Sequence, residues 1–189
     1  CRHGAPPEIR YDAAPHVGTD YLRLVVKSMR EELLSLGAEV RFSNQLVGLT
    51  LSEGAVCGVQ VNSPEGTYTL ETDTVVLALG HSARDTFEML YASGVPVQPK
   101  QFAMGVRIEH LQREMTVHQY GAEIAGLPAA SYKVACHPDT GRGAFSFCVC
   151  PGGVVVGAAS EPGRLCTNGM SYHARDQVNI NGGLLVSVG

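Results

Sequence analysis

The chain has 189 residues, of which 44% are hydrophobic, and its formal net charge is −4. This length is enough for one full domain or two small ones. The modest charge, without a basic patch, argues against nucleic acid as a direct partner, and no apolar run approaches the length of a membrane span. The chain begins at Cys1 and ends at Gly189, and we interpret it as an internal fragment of a longer protein.

Six cysteines are spread along the chain at irregular spacings: Cys1, Cys57, Cys136, Cys148, Cys150 and Cys166. A small secreted protein held by disulfides would carry a denser and more regular set. The cysteines therefore predict reduced thiols and a cytoplasmic protein, or one of the plastid stroma if the source is a plastid-bearing eukaryote.

The first half of the chain predicts a connector, a helix and a set of short strands. Residues 1–18 are rich in turn residues. From Thr19 the apolar residues recur on one helical face, and Gly37 is placed to end the helix. That apolar face consists of Leu22, Val25, Val26, Met29, Leu33 and Leu36. Period-two alternation then predicts strands over 40–42, 47–51, 55–61 and 68–70, forming an antiparallel meander.

The most informative segment is the apolar run Val75–Gly80. Such a run is typical of a strand buried on both faces of a parallel sheet, and its glycine permits a sharp turn. Ser82 and Asp85 then have the spacing of a helix N-cap and its N3 carboxylate, before a helix over 83–92. Strand, glycine turn and helix N-terminus is the order that presents backbone N–H groups to a phosphate or a ribose.

The second half predicts a β-rich region that begins near residue 97. A strand is expected over 102–108, and a β-hairpin over 145–156 with its turn at 151–153. Residues 160–183 are rich in Gly, Asn and Ser and predict a loop. A polar, weakly periodic stretch lies between the first strand and the hairpin.

Three groups of polar residues in this half are candidates for chemistry. Cys148 and Cys150 share one face of a strand; we favour a packing role for them, over a redox pair and over metal ligation with Cys136, His137 or His173. Arg107 and Glu109 also share a face, where an ion pair on a solvated edge is favoured over an anion site. The remaining polar loop has acid–base capacity and consists of Asn168, Ser171, Tyr172, His173 and Arg175.

The order of elements in the first half resembles the middle of the FAD-binding domain of the two-dinucleotide-binding-domain flavoproteins. Four later blocks resemble, more narrowly, the FAD-utilizing dehydrogenase group of these proteins. The blocks are 80–87 (GHSARDTF), 103–110 (AMGVRIEH), 148–153 (CVCPGG) and 167–171 (TNGMS). The G-x-G-x-x-G unit that such proteins carry near their start is absent from the chain, so we expect residues 1–189 to bind FAD weakly or not at all on their own.

The resemblance implies an α/β fold, in part α+β, with two domains. Residues 1–97 would be a partial Rossmann-like FAD-binding domain with an inserted antiparallel meander, and residues 98–189 a β-rich substrate domain. It also implies that FAD is approached by Ala78, Leu79, Gly80 and His81, and that Leu46 offers its backbone to the adenine edge. The alternatives without a ligand are an ordinary strand-to-helix turn and a leucine packed at a strand edge. Catalytic residues are not assigned, and no metal is expected.

The implied function is that of an FAD-dependent oxidoreductase, a dehydrogenase that passes a hydride between an unknown small-molecule substrate and FAD. NAD(P)H is a candidate electron donor. Two other classes remain open. One is a non-catalytic protein of the FAD fold that acts as a scaffold or as an RNA-modification partner, and the other is a nucleotide-independent binding domain.

Overall fold

The computed structural model describes residues 1–139 and 141–189 and shows a mixed α+β chain with two antiparallel sheets. The chain divides into two compact units, one of Glu39–Pro99 and one of Cys1–Ala38 with Lys100–Gly189. The expected mixture of helices and strands is confirmed. The division of function between residues 1–97 and 98–189 stays a prediction.

The Glu39–Pro99 unit is built on a three-stranded meander. Its strands are β1 (Gln45–Ser52), β2 (Ala55–Ser63) and β3 (Gly66–Glu71), and each is antiparallel to the next along the chain. Val61 is among the few buried apolar side chains of the chain, at 8% exposure. The meander predicted from the alternating residues is therefore confirmed.

The strand predicted over residues 40–42 is wrong. Residues 39–44 run as irregular structure and a turn, in which Ser43 has a φ of 55°. The Arg41 guanidinium donates hydrogen bonds to Glu39 and to the Tyr68 hydroxyl, and Asn44 Nδ2 donates to the carbonyl of Phe42 at 2.7 Å. These local bonds hold the chain in a turn, which competes with strand pairing.

Residues 72–83 connect the meander to helix α2 (Arg84–Ala92). The predicted strand over Val75–Gly80 is absent from this connection, because a strand requires a partner for its backbone groups and the described residues supply none. Val76 is 85% exposed and Leu77 43%. The burial that the apolar run predicted is therefore absent among the described residues, whereas the predicted helix that follows the run is confirmed.

In the other unit, helix α1 (Thr19–Ser35) follows a short 3-10 helix at Pro7–Arg10. Gly37 has a φ of +88°, as the residue after a helix C-cap often does. The predicted helix is confirmed, but every residue of its apolar face is at least partly exposed. Leu22 is 47% exposed and Leu33 51%.

A five-stranded antiparallel sheet forms the main part of this unit. Its members are β4 (Phe102–Leu111), β5 (Ala135–Cys136), β6 (Ala144–Gly157), β7 (Thr167–Ser171) and β8 (Asn179–Val188). β8 lies between β4 and β6, and β6 also pairs with β5 and β7. Ile180 and Asn181 on β8 are both fully buried, so the best-protected part of the sheet is the start of this strand.

The hairpin predicted over 145–156 is wrong, because β6 is one continuous strand. Phe147 pairs with Gly183, Cys150 with Asn181, and Gly153 with Asn179. Each step takes three residues of β6 against two of β8. The extra residues form two β-bulges, and the Pro-Gly-Gly sequence that predicted a turn lies in the second of them.

One further prediction for this unit is corrected, and one segment without a predicted structure is a helix. The Gly- and Asn-rich residues 160–183 contain β7 and the start of β8, so only residues 158–166 and 172–178 connect strands. The weakly periodic stretch after β4 contains helix α3 (Gln112–Tyr120), which ends at Gly121 in the left-handed conformation. The predicted strand after residue 101 is confirmed as β4.

Gln112, the first residue of α3, joins three parts of the unit. Its Oε1 accepts the N–H of Gly152 in the second bulge at 2.7 Å, and its Nε2 donates to the carbonyl of the buried Ala130 at 2.9 Å. Its own N–H donates to the carbonyl of Val178, just before β8. The Gln112 side chain therefore provides hydrogen-bond partners for two backbone groups, the N–H of Gly152 and the carbonyl of Ala130, that are not paired with a neighbouring strand.

Substituting Gln112→Leu should lower the free energy of unfolding by about 1–3 kcal/mol, because the buried N–H of Gly152 and the carbonyl of Ala130 both lose this partner. Urea unfolding followed by circular dichroism measures the change. Gln119→Leu, at an exposed position of the same helix, is the matched control and should change the stability by less than about 0.5 kcal/mol. Equal destabilisation by the two variants would contradict a special role for Gln112.

Candidate functional site

The turn at Gly80, predicted to approach a cofactor by its backbone, lies in the Glu39–Pro99 unit. Gly80 has a φ of +68°, and a Cβ built on it would meet nothing within 4 Å. Ala78, Gly80 and His81 are exposed, and Leu79 is half-buried. The glycine is thus required by its backbone conformation, and the space beside it is open.

The capping box predicted from Ser82 and Asp85 is wrong. Helix α2 has Ala83 at its N-cap, so Asp85 occupies the second helical position and the spacing is one residue too short. Ser82 Oγ lies 3.4 Å from His81 Nε2 instead. The Asp85 carboxylate accepts the N–H of Thr86 at 2.9 Å and Gln45 Nε2 at 2.5 Å. Asp85 therefore ties the start of α2 to the start of β1.

Leu46 lies beside a shallow groove of about 480 Å³ on one face of the meander. The groove runs between residues of β2 and β3 and the extended segment at Val75 and Val76. A register shift between Leu46 and Gly48 marks a β-bulge, so the adjacent apolar residues Leu46 and Val47 are not part of one regular alternation. The structure thus places Leu46 next to the start of the 75–80 segment, whereas the groove lining does not include residues 78–81.

A polar cluster that the sequence did not predict is part of the lining of this groove. The Arg41 guanidinium lies 5.7 Å from the centre of the Tyr68 ring and donates to the Tyr68 hydroxyl at 3.0 Å. Tyr68 donates in turn to Asn44 Oδ1 at 2.7 Å. The hydrogen bond to Tyr68, followed by that to Glu39, raises the pKa of Arg41 above its ordinary value. The cation that borders the groove is therefore ion-paired with the Glu39 carboxylate, which lines the same groove.

A second candidate site lies on the five-stranded sheet of the other unit, around Arg107. Its Nη1 donates to Asn181 Oδ1 at 2.7 Å and to the carbonyl of Cys148 at 3.2 Å, and its Nη2 lies 3.4 Å from Asn168 Oδ1. These acceptors are neutral oxygens. Among the residues that the structure describes, the ion pair with Glu109 that the sequence favoured is therefore replaced by hydrogen bonds to neutral acceptors.

Gly169 leaves room for this arrangement. A Cβ at Gly169 would lie 2.3 Å from Asn181 Oδ1, 2.4 Å from Arg107 Nη1 and 2.9 Å from Cys150 Sγ. Asn181 is fully buried, and its Nδ2 is without a hydrogen-bond partner among the residues that the structure describes. The contact between Gly169 and these polar groups was not predicted from the sequence, because residue spacing along the chain does not show which side chains surround a glycine in the fold.

Tyr132, next to this part of β8, has a buried hydroxyl that is likewise without a partner in the described chain. Its ring lies 5.7 Å from the ring of His110 in an edge-on arrangement. Burial raises the pKa of Tyr132 above its ordinary value, and the charge of Arg107 acts against this shift. The phenol is therefore protonated at neutral pH and can donate a proton in a hydrogen bond.

The two cysteines of β6 differ in exposure. Cys150 is buried at 8% exposure, whereas Cys148 is exposed and has a φ of 49°, in the left-handed region. The packing role favoured from the sequence is therefore wrong for Cys148 and stays open for Cys150. Burial, and next the neighbouring Cys148, raise the pKa of the Cys150 thiol, while Arg107 acts to lower it.

The polar loop after β7 is held against the start of α1. Asp20 Oδ1 accepts the N–H of His173 at 2.9 Å, and Thr19 Oγ1 donates to the carbonyl of Ser171 at 3.3 Å. The His173 ring lies 6.2 Å from that of His16 and parallel to it. Ser171 and Asn168 belong to β7, so the structure divides the predicted loop and gives His173 a role in holding α1.

Asp20 makes this contact sensitive to acid. Partial removal from water acts to raise the pKa of the Asp20 carboxyl, but hydrogen bonds from the backbone N–H groups of His173, Asp20 and Tyr21 outweigh it. The folded-state pKa lies below the ordinary value of 3.8. The stabilisation is therefore complete above the unfolded-state pKa and is lost as the pH falls through the folded-state pKa.

Substituting Asp20→Asn should lower the stability at pH 7, and the difference from the unmodified protein should shrink as the pH falls below 4. The reason is that protonation abolishes the same charge-assisted hydrogen bonds in the unmodified protein. Urea unfolding at a series of pH values measures this. Asp12→Asn, at an exposed position, is the control. A difference that is constant over the whole pH range would contradict the prediction.

Two further findings concern metal ligands and membrane-spanning helices. Within residues 1–139 and 141–189, His, Cys, Asp and Glu side chains do not form a group of three or more that could hold a metal ion. Across the same residues, none of the helices combines the length and the apolar content that crossing a membrane requires.

Comparison with known proteins points to flavoproteins. Residues 101–189 match the model of a family described as "FAD-dependent protein, C-terminal domain-like". A protein of Clostridium beijerinckii, described as an uncharacterized protein, is 50% identical over 188 residues. The aligned region is 98% of this chain and 34% of that relative, so the chain spans about a third of the relative's length. The family match supports a flavoprotein-related function.

Proposed function

We propose, from the match of residues 101–189 to FAD-dependent proteins, that this chain is part of an FAD-dependent oxidoreductase. Bound FAD would supply hydride transfer to or from a small molecule, with NAD(P)H as a candidate electron donor. In this proposal residues 1–97 belong to a Rossmann-like FAD-binding domain of the dehydrogenase group and residues 98–189 to the substrate domain. We place the protein in the cytoplasm.

The residues of the turn fit a cofactor approached through the backbone. The open space beside Gly80 and the exposed backbone of Ala78 and His81 allow a flat ligand to approach without a side chain in the way. We assign Ala78, Leu79, Gly80 and His81 to FAD contacts. Leu46, on the neighbouring groove, would offer its backbone to the adenine edge.

The positive φ of Gly80 and the empty space around its Cβ direction are compatible with a ligand close to the backbone, but Gly94 in the same unit shares both features. What singles out Gly80 is the resemblance of residues 80–87 to the dehydrogenase group. A strand-to-helix turn in a sheet interior would pack that direction closely. An open direction at a conformation restricted to glycine is what close approach of a ligand to the backbone requires.

Gly80→Val should reduce the FAD retained by the full-length polypeptide several-fold, because the added side chain occupies the approach path and strains the turn. Flavin absorbance per protein after gel filtration measures retention. Gly94→Val is the matched control, since Gly94 has a φ of +83° and an equally open Cβ direction in the same unit. Equal flavin content in the two variants would remove the role given to Gly80. A full-length protein without flavin absorbance, or unable to bind added FAD, would overturn the proposed function.

A further inference from the structure

The arrangement of the two cysteines of β6 is explained neither by a packing role nor by the proposed flavin contacts. Cys148 is exposed, Cys150 is buried, and both are free thiols. They lie in the first bulge of β6, where three residue steps from Phe147 to Cys150 span two steps of β8. The chain between them is therefore contracted relative to a regular strand.

This contraction matters for the bond that two cysteines can form. In a regular strand, Cα atoms two residues apart are separated by about 6.6 Å, near the upper limit of about 6.8 Å for a disulfide. A bulge shortens the path, and the left-handed φ of Cys148 redirects its side chain. A one-residue spacer, which is too short for a usual zinc site, is then compatible with an S–S bond.

The surroundings of the thiols also form one connected cluster. Cys150 Sγ lies 3.5 Å from the carbonyl oxygen of Cys148, and the same oxygen accepts Arg107 Nη1 at 3.2 Å. Cys148 Sγ lies 4.0 Å from Asn168 Oδ1. The Arg107 guanidinium therefore lies within the same network as the two cysteines, and it acts to lower the pKa of the Cys150 thiol.

We propose that Cys148 and Cys150 are a thiol–disulfide redox pair that reacts with a small-molecule disulfide. The thiolate of exposed Cys148 attacks one sulfur of the small molecule, whose S–S bond breaks and releases one thiol. Cys150 then loses its proton and attacks Cys148 Sγ, which forms the Cys148–Cys150 bond and releases the second thiol. The two cysteine sulfurs are oxidised and the two sulfurs of the small molecule are reduced.

The order of attack follows from exposure and charge. Of the two cysteines in the pair, Cys148 is exposed to solvent and Cys150 is buried, so Cys148 forms the mixed disulfide. Once Cys148 is bonded it no longer carries charge, and one of the effects that raise the pKa of Cys150 disappears while Arg107 continues to lower it. Cys150 therefore becomes easier to ionise after the first step, as a resolving cysteine should.

Oxidised glutathione added to the fully reduced protein provides the test, followed by alkylation of the remaining thiols and peptide mass spectrometry. We expect an intramolecular Cys148–Cys150 link in the unmodified protein. Cys150→Ser should stop at a mixed disulfide on Cys148, and Cys148→Ser should leave Cys150 unmodified under the same conditions. Cys57→Ser removes another exposed thiol and should leave the link unchanged.

The result that would overturn the proposal is modification spread evenly over the exposed cysteines, with Cys148 and Cys150 never joined. Near-ultraviolet circular dichroism before oxidation shows whether each variant is folded, and the Cys150→Ser adduct decides the question even if one variant is unstable. The experiment requires no flavin, so its outcome is independent of the proposed oxidoreductase function.

Discussion

Gly152→Ala should lower the free energy of unfolding by about 3–5 kcal/mol, among the largest effects of a single added methyl group. The added Cβ would lie 1.7 Å from the carbonyl oxygen of Arg175, which is backbone and has no side-chain freedom to move aside. Gly152 also has a φ of +49°, in the region that favours glycine. Urea unfolding followed by circular dichroism measures the loss.

Gly157→Ala is the control for this change. Gly157 ends the same strand, and a Cβ built on it meets nothing within 4 Å. We expect its effect to stay within about 0.5 kcal/mol. If Gly152→Ala were as mild as the control, the close approach of the 172–178 connection to β6 would be wrong.

Asn181→Leu should lower the free energy of unfolding by about 2–4 kcal/mol, the second large effect. Asn181 is fully buried and accepts the shortest hydrogen bond of Arg107, at 2.7 Å. Leucine has the same branched shape but cannot accept this bond, so the half-buried guanidinium would keep only its weaker partners.

The graded comparison is Asn168→Leu. Asn168 is exposed and lies 3.4 Å from Arg107, so its loss should cost less than about 1 kcal/mol. Thermal unfolding of the two variants side by side measures the difference. A larger loss for Asn168→Leu than for Asn181→Leu would show that the guanidinium depends on the exposed partner and would contradict the assignment of Asn181.

The elements that the sequence predicted well are those decided by local pattern. Helix α1, the meander β1–β3, helix α2 and strand β4 all follow from apolar periodicity and from turn residues at their ends. The apolar run at Val75–Leu79 shows the limit of that approach. The hydrophobic residues of this segment are typical of a buried strand. A strand also needs a neighbouring strand to pair with its backbone N–H and C=O groups, and the local sequence does not show whether one is present.

The errors in the second half have a common physical cause. A Pro-Gly-Gly sequence is compatible with a hairpin turn and with a bulge, and only the long-range pairing of β6 with β8 decides between them. The Gly- and Asn-rich composition of β7 and β8 lowers strand propensity, yet Gly169 and Gly182 are positions where a Cβ would collide with neighbouring side chains. Glycine there serves close packing rather than flexibility.

The candidate sites were only partly predictable for the same reason. Arg107 was identified from its alternation on β4, but its main partner Asn181 is 74 residues away in the sequence. The sequence offered Glu109 as the nearest opposite charge instead. The cofactor contacts of residues 78–81 and Leu46 rest on a resemblance between sequences, and they stay predictions.

The second bulge of β6 links parts of the molecule that would otherwise move separately. The N–H of Gly152 is held by the first residue of α3, and its carbonyl accepts the N–H of Gln177 at 3.2 Å in the connection to β8. Opening that connection, fraying the start of α3 or loosening the middle of β6 each breaks a bond at the same residue. We therefore expect these three segments to open together, and the loop that holds His173 to share the local stability of the sheet rather than that of an independent surface loop.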